Sequence, residues 1–330
     1  MWAFIFRRLL YNIPVYLGII LLVMLALRVQ DPVYAFLGKS PDQAQYDRIR
    51  EDFGLNRPFV VQYVDFVKKI VTLDFSERSW DKRMPVNELI ATSIPPTLLI
   101  TLPQLILTGA IAISIGLIAA FFRGRGIDKT LVFLTVLGMS VSYLVYIVMG
   151  QYFGAYWLNQ KLDAELFAVQ GYDERLSTVG FWAGSPIDAL GQWVRYCALP
   201  VMIGVIVAIG YDTRFYRAVM VEETNRDYIT TAKAKGVGRT KIMFVHMLKN
   251  ALIPIITRIM ITLPFVITGS ILVEYYFNIP GMGRTLIEAI RGKDFPVVQT
   301  FTALFAAVFI ISIILTDVLY ALVDPRVRLK

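Results

Sequence analysis

Cysteine and histidine are almost missing from this chain of 330 residues, which has one of each, Cys197 and His246. A single cysteine excludes an intramolecular disulfide. One cysteine with one histidine also excludes a metal cluster built from several of them, so no metal is expected. A phosphate-binding loop is missing too. Gly124-Arg125-Gly126-Ile127-Asp128-Lys129-Thr130 is glycine-rich, but Asp128 rather than glycine precedes the lysine, and the G-x-x-x-x-G-K-[ST] spacing is not met. His246 stands apart from any serine, cysteine or acid constellation, which leaves it helix packing or capping rather than catalysis. A membrane enzyme would need a catalytic cluster at mid-membrane and an ion channel a selectivity loop, and neither is visible.

Apolar sequence is what the chain has in quantity: 56% of residues are hydrophobic and the mean hydropathy is +0.59. Six runs approach the roughly twenty residues that cross about 30 Å of hydrocarbon. They are Leu9–Leu27, Leu98–Phe122, Leu131–Phe153, Leu199–Met220, Ala251–Val273 and Gln299–Val323. The first is too long for a signal peptide and lacks a small-residue cleavage site before Arg28, so it reads as an uncleaved span. A net charge of +8 would suit nucleic acid, but the basic residues lie between apolar runs, where they set orientation instead. Arg7, Arg8, Arg123, Arg125, Lys129, Arg226, Lys233, Lys235, Arg239, Lys241, Lys249, Arg326, Arg328 and Lys330 fall on one side. The expected fold class is therefore an all-α membrane protein of six transmembrane helices with both termini cytoplasmic. It forms a single domain, with outer loops at 28–97 and 151–197 and a cytoplasmic loop at 222–250.

Each loop carries its own signals. In the first, Ser40-Pro41-Asp42-Gln43 predicts a helix start that runs to Gly54. A second helix begins near Pro58, with Phe59, Val60, Tyr63, Val64, Val67, Ile70 and Val71 as a broad apolar face to pack on the outer helix ends. In the second, Tyr152, Tyr156, Trp157, Trp182 and Trp193 suit an interfacial belt, with stacking on a ligand or binding protein as the alternative. In the cytoplasmic loop, a helix from about Thr224 to Lys235 is stopped by Gly236, and Gly238 opens a second helix with Ile242, Val245, Met247 and Leu248 as apolar positions. Ala232 and Ala234 keep the first helix slim enough for another protein's groove, so a bulky residue at Ala232 should obstruct docking. After the fifth run, Pro280-Gly281 marks a turn between Glu274 and Gly283, which is either an ordinary tight loop or irregular backbone facing a wet cavity as part of an outer gate. Pro103, Pro254 and Pro264 in the spans can bend their helices. Three charges fall inside the membrane: Arg214, Arg258 and Asp317. Arg258 and Asp317 lie roughly 10 Å deep. Burying a lone charge there costs about 3 kcal/mol, so the two are expected to pair, with Arg214 as a competitor that Asp212 neutralises.

The cytoplasmic loop also carries a resemblance. Asp227-Tyr228-Ile229-Thr230-Thr231-Ala232-Lys233-Ala234-Lys235-Gly236 is similar to D-Y-(V/I)-x-T-A-x-A-K-G, and His246-Met247-Leu248-Lys249-Asn250-Ala251-Leu252-Ile253-Pro254 to H-x-L-x-N-A-L-x-P. Both belong to importer-type ABC permeases of the dipeptide/oligopeptide group. Glu274 to Gly283 matches that family's E-x-x-F-x-x-P-G-x-G, and Arg214, Arg217 and Glu222 its R-x-x-R…E. The chain departs from the family at Thr230-Thr231, where the Glu-Ala of the wider motif is absent, and at Ser140-Val141-Ser142, which replaces S-I-P-S. The resemblance implies a type I ABC importer permease fold in the bacterial inner membrane. Its partners would be a second homologous permease, two cytoplasmic ATPases that bind ATP and Mg, and an extracytoplasmic substrate-binding protein; no cofactor would sit on this chain. It implies ATPase coupling through Glu222, Asp227, Tyr228, Thr231, Ala232, Ala234, Lys235 and Gly236, and an outer gate around Glu274, Phe277, Pro280, Gly281 and Gly283. Peptides are the implied solutes, with nickel chelates, peptide antibiotics or sugars as alternatives.

Overall fold

The computed structural model describes residues 2–37 and 42–323. Ser40, Pro41 and the basic tail beyond Val323 lie outside the described residues. Within them the secondary structure is helical apart from one isolated bridge between Arg78 and Pro85. In chain order, α1 is Trp2–Leu27, α2 Gln43–Asp52, α3 Phe59–Thr72, α4 Val86–Phe121 and α5 Gly126–Ser140. Next come α6 Tyr143–Leu162, α7 Pro186–Glu223 and α8 Asp227–Ala234. They are followed by α9 over 239–250, α10 Leu252–Tyr276, α11 Met282–Arg291 and α12 Phe295–Val323. Five of these are long and apolar enough to cross a membrane, and α5 with α6 forms a bent pair that counts as a sixth if it is one span.

That bend corrects the third expected span. The chain turns by 88° between α5 and α6, because Val141 and Ser142 are extended (ψ 134° and 140°). An extended Ser142 cannot donate to the carbonyl of Gly138 in the helical manner. The Tyr146 hydroxyl takes that place instead, donating to Gly138 O at 2.9 Å, so the break leaves no orphan carbonyl there.

α7 packs most extensively on α4 and then on α5. Glycines let these backbones approach, as small residues do wherever membrane helices cross closely. A Cβ at Gly116 would sit 3.0 Å from the Tyr216 Cβ and the Arg217 backbone nitrogen, and one at Gly210 would sit 2.9 Å from Thr135 O. α10 lies against α4 and α12, and α12 against α1.

The two long connecting segments, 28–97 and 151–197, are more ordered than a pair of loops. Helices α6 and α7 run well into 151–197, leaving only 163–185 as turns and short helices. Trp182 and Trp193 are not belt residues: their indole N–H groups donate to Leu176 O and Leu99 O, both at 2.9 Å, and their rings pack on the core beneath. A buried indole needs such an acceptor. Tyr152, Tyr156 and Trp157 do face outward. α3 lays Phe66, with Phe59, Tyr63 and Ile70, against Ile20, Met24 and Ala303 of α1 and α12. The segment before α4 is tied to α12 by Asp294, which accepts from the Ser79 hydroxyl, from Trp80 N at 3.1 Å and from Asp81 N at 3.3 Å. Trp80 then stacks between Phe53, with ring centroids 3.9 Å apart, and Phe295.

Candidate functional site

Three places hold the residues singled out from sequence: a platform built by α8 and α9, a largely apolar cavity among the membrane helices that carries a few polar side chains, and a cluster at the C-terminal end of α10.

The platform is α8 with α9, seated on the C-terminal ends of α4 and α7. Gly236 has φ +71°, a left-handed conformation that a side chain would strain, and it ends α8 while Val237 N closes back on Ala232 O at 3.1 Å. Ile229 and Ala232 point inward, into one buried cluster with Tyr216, Met220, Ile242, Met243 and Met247. This reverses the expectation for Ala232. It is only 7% exposed, so a bulky replacement would disrupt this chain's own packing rather than meet a partner's groove. The period of 3.6 residues leaves Asp227, Thr230, Thr231 and Ala234 as the outward ridge, with Lys233, Lys235 and Gly236 exposed around it. Tyr228 clamps the helix to α7 by donating to Glu223 at 2.6 Å. Burial, and then the hydrogen bond accepted by the Glu223 carboxylate, push the phenol up to about 12, so it remains a donor at physiological pH. Glu222 is exposed and pairs with Arg226 at 2.8 Å; the clamping acid is its neighbour. Arg239 anchors α9 by donating to Phe121 O at 2.6 Å and lying over the Phe121 ring. Neither Glu223 nor Arg239 carried a periodicity or motif signal that would have singled it out.

The cavity, of about 370 Å³, lies among α4, α7 and α10. Arg258 and Asp212 both line it and are paired at 2.8 Å, which overturns the expected Arg258–Asp317 pair. Asp317 is bridged instead by Arg8 of α1 at 3.1 Å. Arg214 is exposed and takes no part in either pair. The physical reason is helix order: α7 brings Asp212 to the cavity side of α10, while α12 turns Asp317 towards α1. Removing one member of a buried pair strands the other charge, at a cost of about 3 kcal/mol. Arg258→Ala and Asp212→Ala should therefore each lower the yield of folded protein. The double variant should recover much of that loss, whereas Arg258→Ala with Asp317→Ala should be additive. Yields of monodisperse protein from the membrane measure both, and additivity in the first double variant would dissolve the assignment.

Arg217 and Asp128 form a further pair. Nε and Nη2 of Arg217 meet the two carboxylate oxygens at 2.7 and 2.8 Å, and Asp128 also accepts from Gly124 N at 2.9 Å. Asp128 stood inside the glycine-rich stretch that failed as a phosphate loop; its actual work is to join α5 to α7.

Near its C-terminal end, α10 is interrupted at Gly269 and Ser270, and Glu274 is 1% exposed. It accepts from the Thr97 hydroxyl at 2.9 Å and from Arg284 N, in the first turn of α11, at 3.0 Å. A carboxylate at a helix N-terminus satisfies an orphan N–H and complements the helix dipole. The Thr97 oxygen in turn accepts from Met282 N at 2.8 Å. Gly281 and Gly283 are buried against this knot, Phe277 fills the core below it, and Pro280 is exposed.

Comparison with known proteins places these features in context. The model of the family described as binding-protein-dependent transport system inner membrane component matches residues 112–329, and the model of its N-terminal part matches residues 1–101. The chain is 31% identical to a probable peptide ABC transporter permease protein of Sinorhizobium fredii over 330 residues, 99% of this chain and 100% of that one. It is also 31% identical, with the same coverage, to an oligopeptide transport system permease protein of Bacillus subtilis. Its identity to a glutathione transport system permease protein of Salmonella typhimurium is 33% over 333 residues, 100% of each.

Proposed function

The chain belongs to the family of binding-protein-dependent transport system inner membrane components, and on that premise we propose that it is a permease subunit of an ATP-driven importer for small peptides or similar solutes. It works with a second permease, two cytoplasmic ATPases that hold ATP and Mg, and an external substrate-binding protein. Six spans, counting the bent pair as one, leave both termini on one side, and the basic residues gathered there with α8 and α9 favour the cytoplasm, facing the ATPases.

The observation that carries this reading is the platform. α8 shows a ridge to solvent, is capped by Gly236, and is bound to α7 through Tyr228 and Glu223. Closure of the ATPases on ATP pushes on that ridge. The clamp and the shared buried cluster pass the displacement to α7 and α4, whose other faces line the cavity. A differential contact at the ridge thus biases an equilibrium between inward and outward access. The knot around Glu274 is the outer gate, receiving solute from the binding protein. The subunit makes and breaks no covalent bond.

The test uses the ridge. Thr231→Trp and Ala234→Trp lie on exposed positions and should insert and fold as wild type. Each should lower co-purification of the ATPases and ATP-driven uptake about tenfold or more, as the loss of a central interface contact does. Wild-type uptake in both variants would refute coupling through α8.

A further inference from the structure

α3 has 14 residues, too few to cross a bilayer, yet it lies against a helix that does. Phe66 of α3 is buried against Ile20 and Met24 of α1, both inside the apolar stretch Phe6–Leu27 that is long enough to span. The Tyr63 hydroxyl donates to Leu17 O at 3.0 Å, which fixes the two helices together partway along that stretch. The rest of α3 is nonetheless apolar where it is open: Val60, Val64 and Val71 are 68%, 43% and 78% exposed. Leu17 of α1 and Tyr63, Val64, Val67 and Val71 of α3 line a groove of about 280 Å³, and Lys68 stands at its edge. The other charges of α3 are matched, Asp65 with Arg57 at 3.3 Å and Lys69 with Glu77 at 2.6 Å. Among the described residues Lys68 forms no ion pair, so α3 brings one unmatched positive charge to the groove.

We propose that this groove holds a phospholipid of net negative charge, with an acyl chain along the groove and the headgroup phosphate on the Lys68 ammonium. Three observations select that occupant. The groove opens beside a membrane span, where exposed apolar surface meets hydrocarbon, and a helix with an apolar side and a lysine above it lies in the bilayer interface in this way. The groove also offers little to a polar chain. The hydroxyls of Tyr63 and Thr72, the polar neutral groups on its lining, already donate to Leu17 O and Lys68 O. A peptide backbone laid there would leave most of its N–H and C=O groups unsatisfied, whereas an acyl chain has none to satisfy. Finally, a lysine stem follows apolar surface while its ammonium reaches the headgroups, and an unmatched ammonium favours an anionic headgroup over a zwitterionic one. The inference requires only that α1 crosses the bilayer, and it holds whatever solute the transporter carries.

The test is photolabelling by lipid. The chain is purified with the subunits that accompany it into phosphatidylcholine nanodiscs. These contain a small fraction of a probe with a diazirine in one acyl chain, either phosphatidylglycerol or phosphatidylethanolamine. Adducts are mapped by peptide mass spectrometry and normalised to the total labelling of the chain. The phosphatidylglycerol probe should label the segment 63–72 about fivefold more than the phosphatidylethanolamine probe, the preference that one lysine near an anionic lipid supplies. Lys68→Gln should bring the two probes level, and Lys68→Arg should keep the preference. Both change an exposed side chain and should assemble as wild type. Val64→Trp, also at an exposed position, should fill the groove and lower labelling by both probes. Absence of adducts in this segment, equal labelling by the two probes in the wild type, or an unchanged preference in Lys68→Gln would overturn the lipid site. A second measurement covers a protein occupant: p-benzoylphenylalanine placed at Val64 should capture lipid, and its capture of an accompanying subunit would overturn the proposal.

Discussion

Replacing Asp128 by alanine is expected to remove most of the folded protein from the membrane, although the residue lies outside the cavity and the platform. Asp128 is 5% exposed in its side chain and holds Arg217 through two nearly parallel hydrogen bonds. Both groups sit where α5 begins and α7 leaves the helix bundle. Fork-to-fork geometry of this kind is the strongest form of ion pair, because each oxygen meets its own donor. Its loss leaves the Arg217 guanidinium, 28% exposed, without an anion, and also orphans Gly124 N. The penalty should be about 3 kcal/mol, at the lower end of the range for fully buried pairs because Arg217 is partly wet. Asp128→Asn keeps the bond to Gly124 and should be intermediate. Arg217→Met combined with Asp128→Ala should restore part of the yield, since no charge is then stranded. The readout is the monodisperse fraction after extraction, and a wild-type profile for Asp128→Ala would contradict this account. The pair also lies on the coupling route proposed from platform to cavity. Variants that fold should therefore show ATPase activity that responds poorly to solute.

A single methyl group at Gly281 is expected to be as damaging. Gly281 has φ −91° and ψ −179°, a conformation open to any residue, so the demand for glycine is one of space alone. The added Cβ would lie 2.5 Å from the Glu274 carboxyl carbon and 2.5 Å from the Thr97 hydroxyl. Either Glu274 moves and loses Thr97 and Arg284 N, or α11 moves away from α4. Overpacking costs about 1–3 kcal/mol, and each buried polar group left unpaired adds about as much again. Gly281→Ala should thus lower the thermal midpoint of the purified protein by several degrees and reduce uptake. Gly238→Ala, whose Cβ would meet nothing within 4 Å, should do neither. Equal behaviour of the two variants would reject the close-packed knot.

The limits of reading from sequence are clearest at Ala232. Its spacing from Tyr228 predicts a shared helix face, and the helix is there, with both residues turned at least partly inward. Which face meets the chain's own core is a separate matter, because α8 is short and nearly balanced in apolarity around its circumference. Met243 and Met247 of α9 and Met220 of α7 decide it by covering Ile229 and Ala232. Arg258 teaches the same about charge. The cost of an unpaired charge in hydrocarbon made a partner necessary, and consecutive helices made Asp317 the natural candidate. Consecutive helices need not present their charges to each other, however, and the partner came from α7.

By itself the sequence determined what depends on local chemistry. Long apolar runs need a bilayer, and a glycine at φ +71° ends α8. Phe59, Tyr63 and Ile70 of the expected apolar face pack on α1 and α12 while Val60, Val64 and Val71 stay exposed, and Glu274 to Gly283 cannot continue as a helix through Pro280-Gly281. Only the tertiary structure decided the pairings of Arg258 with Asp212, Asp317 with Arg8 and Arg217 with Asp128, the 88° turn at Val141 and Ser142, and the roles of Trp182 and Trp193. Hydrophobicity and backbone preference act over a few residues and are written in their order. The ion pairs, the acceptor of Trp193 and the close glycine contacts act between residues tens to hundreds of positions apart, and they exist only once the helices have chosen their neighbours.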